Sequence, residues 1–243
     1  MTRVDDALAT IPNVDGIIAE ALDRLRKAEG FSPEHIMKDF GAALVKLEAT
    51  AFAIYKVHEK AGLRRLVDSH LKDVNEGTGS SKDGVRKVLE AAAPEIQEFE
   101  FRAGQSRKSR GGSTWEKLGP ALLEVMGVKC EKPTGADARS FNQIDRIVPS
   151  VEVARNRPDQ AIFLSFKRTT RERWRTLVDE RRLGYLYLVT GGEDITEAKL
   201  GEMETKKIIA YVPQHVKEKS PEFRKSKAVR PFNELPKDLR RYL

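Results

Sequence analysis

A single cysteine, Cys130, in a chain of 243 residues excludes an intramolecular disulfide framework and any cysteine-rich zinc site, and it suits a reducing compartment. Nothing around Cys130 marks it as an activated nucleophile. Histidine is nearly as scarce: His35, His58, His70 and His215 show neither HExxH nor any other metal-ligand spacing. No GxSxG elbow, phosphate-binding P-loop or dinucleotide glycine fingerprint is present; Gly191-Gly192 follows a strand-like run without the rest of the pattern. No apolar run approaches a membrane span, and the opening MTRVDDALATIPNVDG lacks the apolar stretch of a secretory leader, so a cytoplasmic location is expected. There is no internal repeat.

What is present is a globular composition, 40% hydrophobic and 33% charged, long enough for one large domain or two small ones. The net charge of +7 is compatible with an anionic partner without proving one.

Residues 14–75 have helical periodicity. Ile17, Ile18, Ala21, Leu22 and Leu25 repeat at helical spacing up to Gly30, and Ser32-Pro33-Glu34 opens a second helix carrying Ile36, Phe40, Leu44, Leu47, Ala51, Ile54 and Tyr55. A third run near AGLRRLVDSHLKDV ends at the polar NEGTGSSKDG, which divides a helical N-terminal region, 1–78, from the remainder, 79–243. A helix around Val85–Ala92 follows, and Pro94 begins a segment leading to Phe99 and Phe101.

The run RAGQSRKSRGG, residues 102–112, has four basic residues, no acidic one and three glycines. It reads either as a solvated loop or as backbone and arginines arranged to approach phosphate. A helix at 114–126 follows, opened by Ser113-Thr114-Trp115-Glu116, which fits a capping box. Beyond it, IDRIV, AIFLSF, YLYLV and KIIAYV alternate with helical segments at 170–182 and near Thr196–Met203, and a short helix is expected at ELPKDLRRYL. Strands interleaved with helices predict an α/β core with a central mixed sheet, preceded by a helical block.

Residues Phe163 to Glu180, FLSFKRTTRERWRTLVDE, organise the chemistry. The strand delivers Lys167 to the rim of the sheet, with Phe163, Ser165 and Lys167 on one face and Ile162, Leu164 and Phe166 on the other. Asp145 lies 22 positions upstream of Lys167 and Glu180 lies 13 downstream. Two carboxylates and a lysine at one strand edge fit a divalent cation and phosphodiester hydrolysis, in which carboxylate oxygens hold the ion and lysine meets the phosphate. An ordinary rim ion pair between Asp145 and Lys167 is the alternative, because isolated pairs of this kind recur by chance.

The set Asp145, Ser165-x-Lys167, Glu180 resembles the variant PD-(D/E)XK nuclease motif in which the second acid has moved onto the following helix. This is the pattern of the EcoRII, PspGI, SsoII and NgoMIV group of type II restriction endonucleases. KRTTRERW, Lys167 to Trp174, is similar to the recognition helix of the CCGG, CCNGG and CCWGG cutters, and SRKSRGGSTWE, Ser106 to Glu116, to their arginine-glycine segment. The likeness covers roughly residues 100–215 and departs at Ile144, where the motif name has proline.

The resemblance implies a PD-(D/E)XK core in which Asp145 and Glu180 ligate magnesium, Lys167 is catalytic and Glu116 is an accessory acid. Glu116 could instead only cap its helix. Arg171, Glu172 and Arg173 would read the major groove, arginine pairing with guanine and glutamate accepting from cytosine N4. Gln105 would reach the minor groove, and Arg107 and Arg110 would hold phosphates. Trp174, Leu177 and Val178 behind the recognition residues read as core. Phe52, with Tyr55 second, stands where relatives stack an aromatic on a flipped central base; both equally fit a buried helix face.

The activity so implied is magnesium-dependent cleavage of double-stranded DNA at a short palindromic CC/GG site, leaving 5′ overhangs. It would come from a prokaryotic homodimer whose cognate DNA methyltransferase is a functional partner. A repair or recombination nuclease of the same fold and a non-catalytic DNA-binding regulator are the rival readings.

Overall fold

The computed structural model describes residues 2–75, 82–169, 184–192 and 194–243. The chain forms two compact units, one from residues 1–24 and 49–113, the other from 25–48 and 114–243. No helix of the described residues is long and apolar enough to cross a membrane.

The first unit is helical. It contains α1 (Arg3–Ala9), much of α2 (Val14–Glu29), the later part of α4 (Phe40–Asn75) and the earlier part of α5 (Lys82–Val125); α3 (Pro33–Lys38) belongs to the second. The Thr2 side chain and Asp5 make a reciprocal capping box at α1, and the Ser32 hydroxyl caps α3 ahead of Pro33. Ile17, Ile18 and Ala21 of α2, Ala51, Ile54 and Leu66 of α4, and Phe99 and Ala103 of α5 are buried in the core.

Two expectations change here. The second helical run breaks at Asp39: its opening, with Ile36, is the separate helix α3, and its remainder from Phe40 joins the third run in one helix, α4, of 36 residues. Residues 102–112 are not a loop: α5 runs unbroken for 44 residues through Pro94, Gly104, Gly111 and Gly112. Each interior glycine costs about 1 kcal/mol of helix propensity, and proline about 3. Tertiary contacts offset this, for Phe99 and Ala103 are completely buried and the Arg107 and Arg110 side chains are anchored to neighbouring helices and chain. Because α5 does not begin at Thr114, Ser113–Glu116 is not an N-terminal capping box.

Among the described residues the second unit is a five-stranded mixed sheet flanked by helices. Its strands are β1 (Arg146–Val148), β2 (Ile162–Lys167), β3 (Tyr185–Thr190), β4 (Ile208–Val212) and β5 (Val229–Pro231), in that spatial order. β1 runs antiparallel to β2, with Arg146 opposite Leu164, and the remaining pairs are parallel. Among the described residues, α6 (Gly135–Ser140) precedes β1, α7 (Val151–Asn156), α8 (Ala198–Thr205), α9 (Gln214–Lys217) and α10 (Pro221–Lys225) lie between strands, and α11 (Leu235–Leu239) follows β5.

Every residue of β2 and β4 is buried, the signature of strands covered on both faces, and this is why AIFLSF and KIIAYV read as continuous apolar runs. Alternation nevertheless sorts them. Phe163, Leu186, Leu188, Ile208, Ala210, Val212 and Val229 join one cluster with Leu200 and Met203 of α8 and Phe223 of α10. On the other face Phe166 packs against Gly119 of α5. β5 was not expected, because three residues ending in proline show no alternation; proline is tolerated at such an edge position.

Candidate active site

Lys167 ends β2 opposite Thr190 of β3 and is 5% exposed, while Asp145 immediately precedes β1. The chain is fixed at this rim by a chain of backbone and hydroxyl bonds. Asp145 N–H donates to Leu164 O at 2.9 Å, Phe166 N–H donates to Asp145 Oδ2 at 2.7 Å, and Ser165 Oγ donates to Gln143 O at 2.9 Å. Gln143 has a φ of 65°, a left-handed conformation that Ser165 thereby pins next to the acid. Ser165, read in the sequence as a position vacated by an acidic residue, has a positioning task of its own.

The lysine ammonium joins two carboxylates. Lys167 Nζ lies 2.8 Å from Glu116 Oε1 and 3.2 and 3.4 Å from Asp145 Oδ2 and Oδ1. Exposure rises outward, from 5% for the Lys167 side chain to 18% for Asp145 and 31% for Glu116. Burial pushes the Asp145 carboxyl above its ordinary value; Lys167 and the Phe166 N–H oppose that rise and Glu116 adds to it.

Glu116 is carried by α5, and its distance from the sheet is set by contacts the sequence did not announce. A Cβ on Gly119 would stand 2.0 Å from Phe166 Cε1, so helix and strand touch there. Trp115 Nε1 donates to Val189 O at 3.4 Å, tying the same turn of helix to β3. A glycine inside the helical pattern KLGPALLEV was the available signal of such an approach.

The chemistry of the donors is that of a hard-cation site. Two carboxylates meeting at one ammonium supply the oxygen ligands that magnesium-like ions prefer, and the residues fit such an ion. Among the described residues no group of three or more His, Cys, Asp or Glu converges. Glu180, the further acid expected, lies outside the described residues, as do Arg171, Glu172, Arg173, Trp174, Leu177 and Val178.

The other residues singled out in the sequence lie in the helical unit. Gln105 is exposed on α5. Arg107 Nη1 donates to Glu59 Oε1, and Arg110 Nη1 donates to Pro12 O at 2.8 Å. Tyr55 is buried, its hydroxyl on Glu59, with the Arg110 guanidinium 5.2 Å from its ring centre. Phe52, in contrast, is 60% exposed, so the expectation of a buried helix face holds for Tyr55 and fails for Phe52.

Comparison with known proteins follows the same lines. The fold is similar to that of the restriction endonuclease Ecl18kI, solved metal-depleted in complex with uncleaved DNA, with a TM-score of 0.71, 16% identity, and coverage of 98% of this chain and 82% of that one. It is also similar to PspGI in a complex with substrate DNA, with a TM-score of 0.62, 23% identity, and coverage of 96% and 93%. No curated protein sequence matches. The model of the EcoRII C-terminal family matches residues 78–233, more than half of the chain. With that span matched, the chain belongs to the EcoRII C-terminal family of site-specific DNA nucleases, and it shares the fold of the restriction endonucleases Ecl18kI and PspGI.

Proposed function

We propose that this type II restriction endonuclease is a magnesium-dependent homodimer that cuts double-stranded DNA at a short palindromic site containing CC and GG, before the first C, leaving 5′ overhangs. The observation that carries the catalytic part is the Lys167 ammonium held between Asp145 and Glu116 at the rim of the sheet. An ordinary rim ion pair needs one acid; here two carboxylates converge on one buried lysine and together supply the oxygen ligands that suit a hard cation.

In this reading Asp145 and Glu180 hold magnesium, which when bound supplies charge neutralisation at the phosphate and a more acidic water. The Phe166 N–H fixes one Asp145 oxygen, and Lys167 orients the carboxylate while offering its remaining N–H to the scissile phosphate. Glu116, the most exposed of the three, is the accessory acid.

Sequence reading is assigned to Arg171, Glu172 and Arg173, minor-groove contact to Gln105, and phosphate contacts to Arg107 and Arg110. Exposure of Phe52 supports it over Tyr55 as the aromatic that stacks on a flipped central base. Residues 1–78 would supply dimer and DNA contacts and 79–243 the nuclease core, in a prokaryotic cytoplasm protected by a cognate methyltransferase.

Incubating a sequenced plasmid with protein and magnesium, then mapping the fragment ends, tests the proposal. Discrete fragments ending at CC/GG sites are expected. Random nicking would point to a repair or recombination nuclease, and sequence-specific binding without cleavage to a regulator.

A further inference from the structure

Glu59 is a buried carboxylate to which the cleavage reaction assigns no task. It lies on α4 with 4% exposure and accepts hydrogen bonds from three side chains: Tyr55 Oη at 3.2 Å, Lys56 Nζ and Arg107 Nη1. Arg110, one turn after Arg107 on α5, belongs to the same cluster through the Tyr55 ring, 5.2 Å from its guanidinium, and through Pro12 O. A desolvated carboxylate is tolerated only when it is paired, and here its partners include one of the two arginines assigned to phosphate.

We propose that Glu59 is a positioning residue for DNA binding: it fixes the Arg107 guanidinium before DNA arrives, beside Arg110 held on Tyr55, so that the remaining donors of Arg107 meet the backbone without further ordering. This rests on the reading of Arg107 and Arg110 as phosphate contacts. Geometry favours holding over competition. Guanidinium has five N–H donors, and Arg107 keeps a third of its side chain exposed while one nitrogen serves Glu59. Its Nη2 is 3.8 Å from Glu100, beyond hydrogen-bonding reach. Surrendering Arg107 entirely would leave the buried Glu59 with only Lys56 and Tyr55.

The sign of the effect separates this from simple charge. Removing an acid near DNA, or removing a competitor for Arg107, tightens binding; removing a positioning residue weakens it. The test titrates an unrelated 30-base-pair duplex with the full chain across a salt series, below the melting point of each variant. Arg107→Ala is expected to lower the log–log salt slope by about 0.9 and the affinity on the order of tenfold. Glu59→Ala should show a loss of the same order although it raises the net charge, and the Glu59→Ala/Arg107→Ala double variant should be no weaker than Arg107→Ala. Glu59→Gln, which still accepts from Arg107 and Tyr55, should retain most of the affinity. If Glu59→Ala does not fold, Arg107→Lys decides: its charge is kept, but one ammonium serves Glu59 and phosphate poorly, so weaker binding is expected and wild-type binding overturns the proposal. Tighter or unchanged binding by Glu59→Ala beside a weakened Arg107→Ala overturns the positioning role alone. An unaffected Arg107→Ala overturns the phosphate reading and the inference together.

Discussion

Gly119 of α5 lies against the ring of Phe166 so closely that a Cβ would come within 2.0 Å of Cε1 and 2.1 Å of Cδ1. Phe166 is completely buried and cannot swing away. Glu116 stands one helical turn before this contact and Lys167 one residue after it, so the spacing between helix and strand is also the spacing between acid and ammonium.

Gly119→Ala is therefore expected to lower stability by about 1–3 kcal/mol, the usual cost of overpacking, and to reduce cleavage by moving Glu116 from Lys167. Phe166→Leu in the same chain should restore much of the stability. Denaturant melts of the single and double variants check this, and full stability of Gly119→Ala would mean that the helix shifts freely.

Asp145→Ala and Lys167→Ala should each abolish cleavage, by at least about a hundredfold, while sequence-specific binding persists, because neither group contacts a base in the proposed reading. Plasmid cleavage and gel retardation, run side by side with and without chelator, measure the two properties separately. Near-wild-type cutting by either variant would place the catalytic centre elsewhere.

The raised Asp145 pKa has a signed consequence for stability. A carboxyl whose folded pKa exceeds its unfolded value of 3.8 favours the folded state most at low pH, and that contribution is lost as pH rises through the folded pKa. Above its folded pKa the ionised Asp145 is therefore a cost in the metal-free protein. Asp145→Asn should melt no lower than wild type at pH 7 without metal, though inactive, and the two melting points should draw together on acidification. A markedly lower melting point at pH 7 would mean that the bond to Lys167 outweighs burial.

Recognition is tested by replacing each C·G pair of the site in turn. Arg171→Ala or Arg173→Ala should lose roughly 1–3 kcal/mol of discrimination at its own pair, and Glu172→Gln should impair cleavage at CC/GG while leaving nonspecific binding intact. Discrimination retained at every position in all three variants would assign sequence reading to another segment.

The strand that carries Lys167 was legible because burial on both faces writes itself as an apolar run; Asp145 was singled out by the spacing of a known motif and Glu116 by the likeness of its flanking arginine-glycine segment, and the structure brings both acids to Lys167. The path of α5 was not. Glycines and arginines at 102–112 argue locally for a loop, but partners distant in sequence, among them Asp5 for Arg102, Glu59 for Arg107 and Pro12 for Arg110, hold that stretch as helix. Glu59 itself carried no signal, since a glutamate on a helix is ordinarily solvated. Phe52 and Tyr55 share one helix three residues apart, and periodicity alone did not tell which of them turns inward. β5 escaped because three residues are too few to show a period.

The antiparallel pairing of β1 with β2 makes the reactive group tolerant of some genetic changes and brittle to others. Strand faces alternate residue by residue, so a single-codon insertion between Gln143 and Val148 would slide the strand past β2 and turn Asp145 away from Lys167. Lengthening the connection from Pro149 to Ala161 leaves that pairing untouched. Lineages diverging from this chain would thus be expected to accumulate indels in the connection and none in the short strand, a pattern that separates selection on geometry from selection on residue identity.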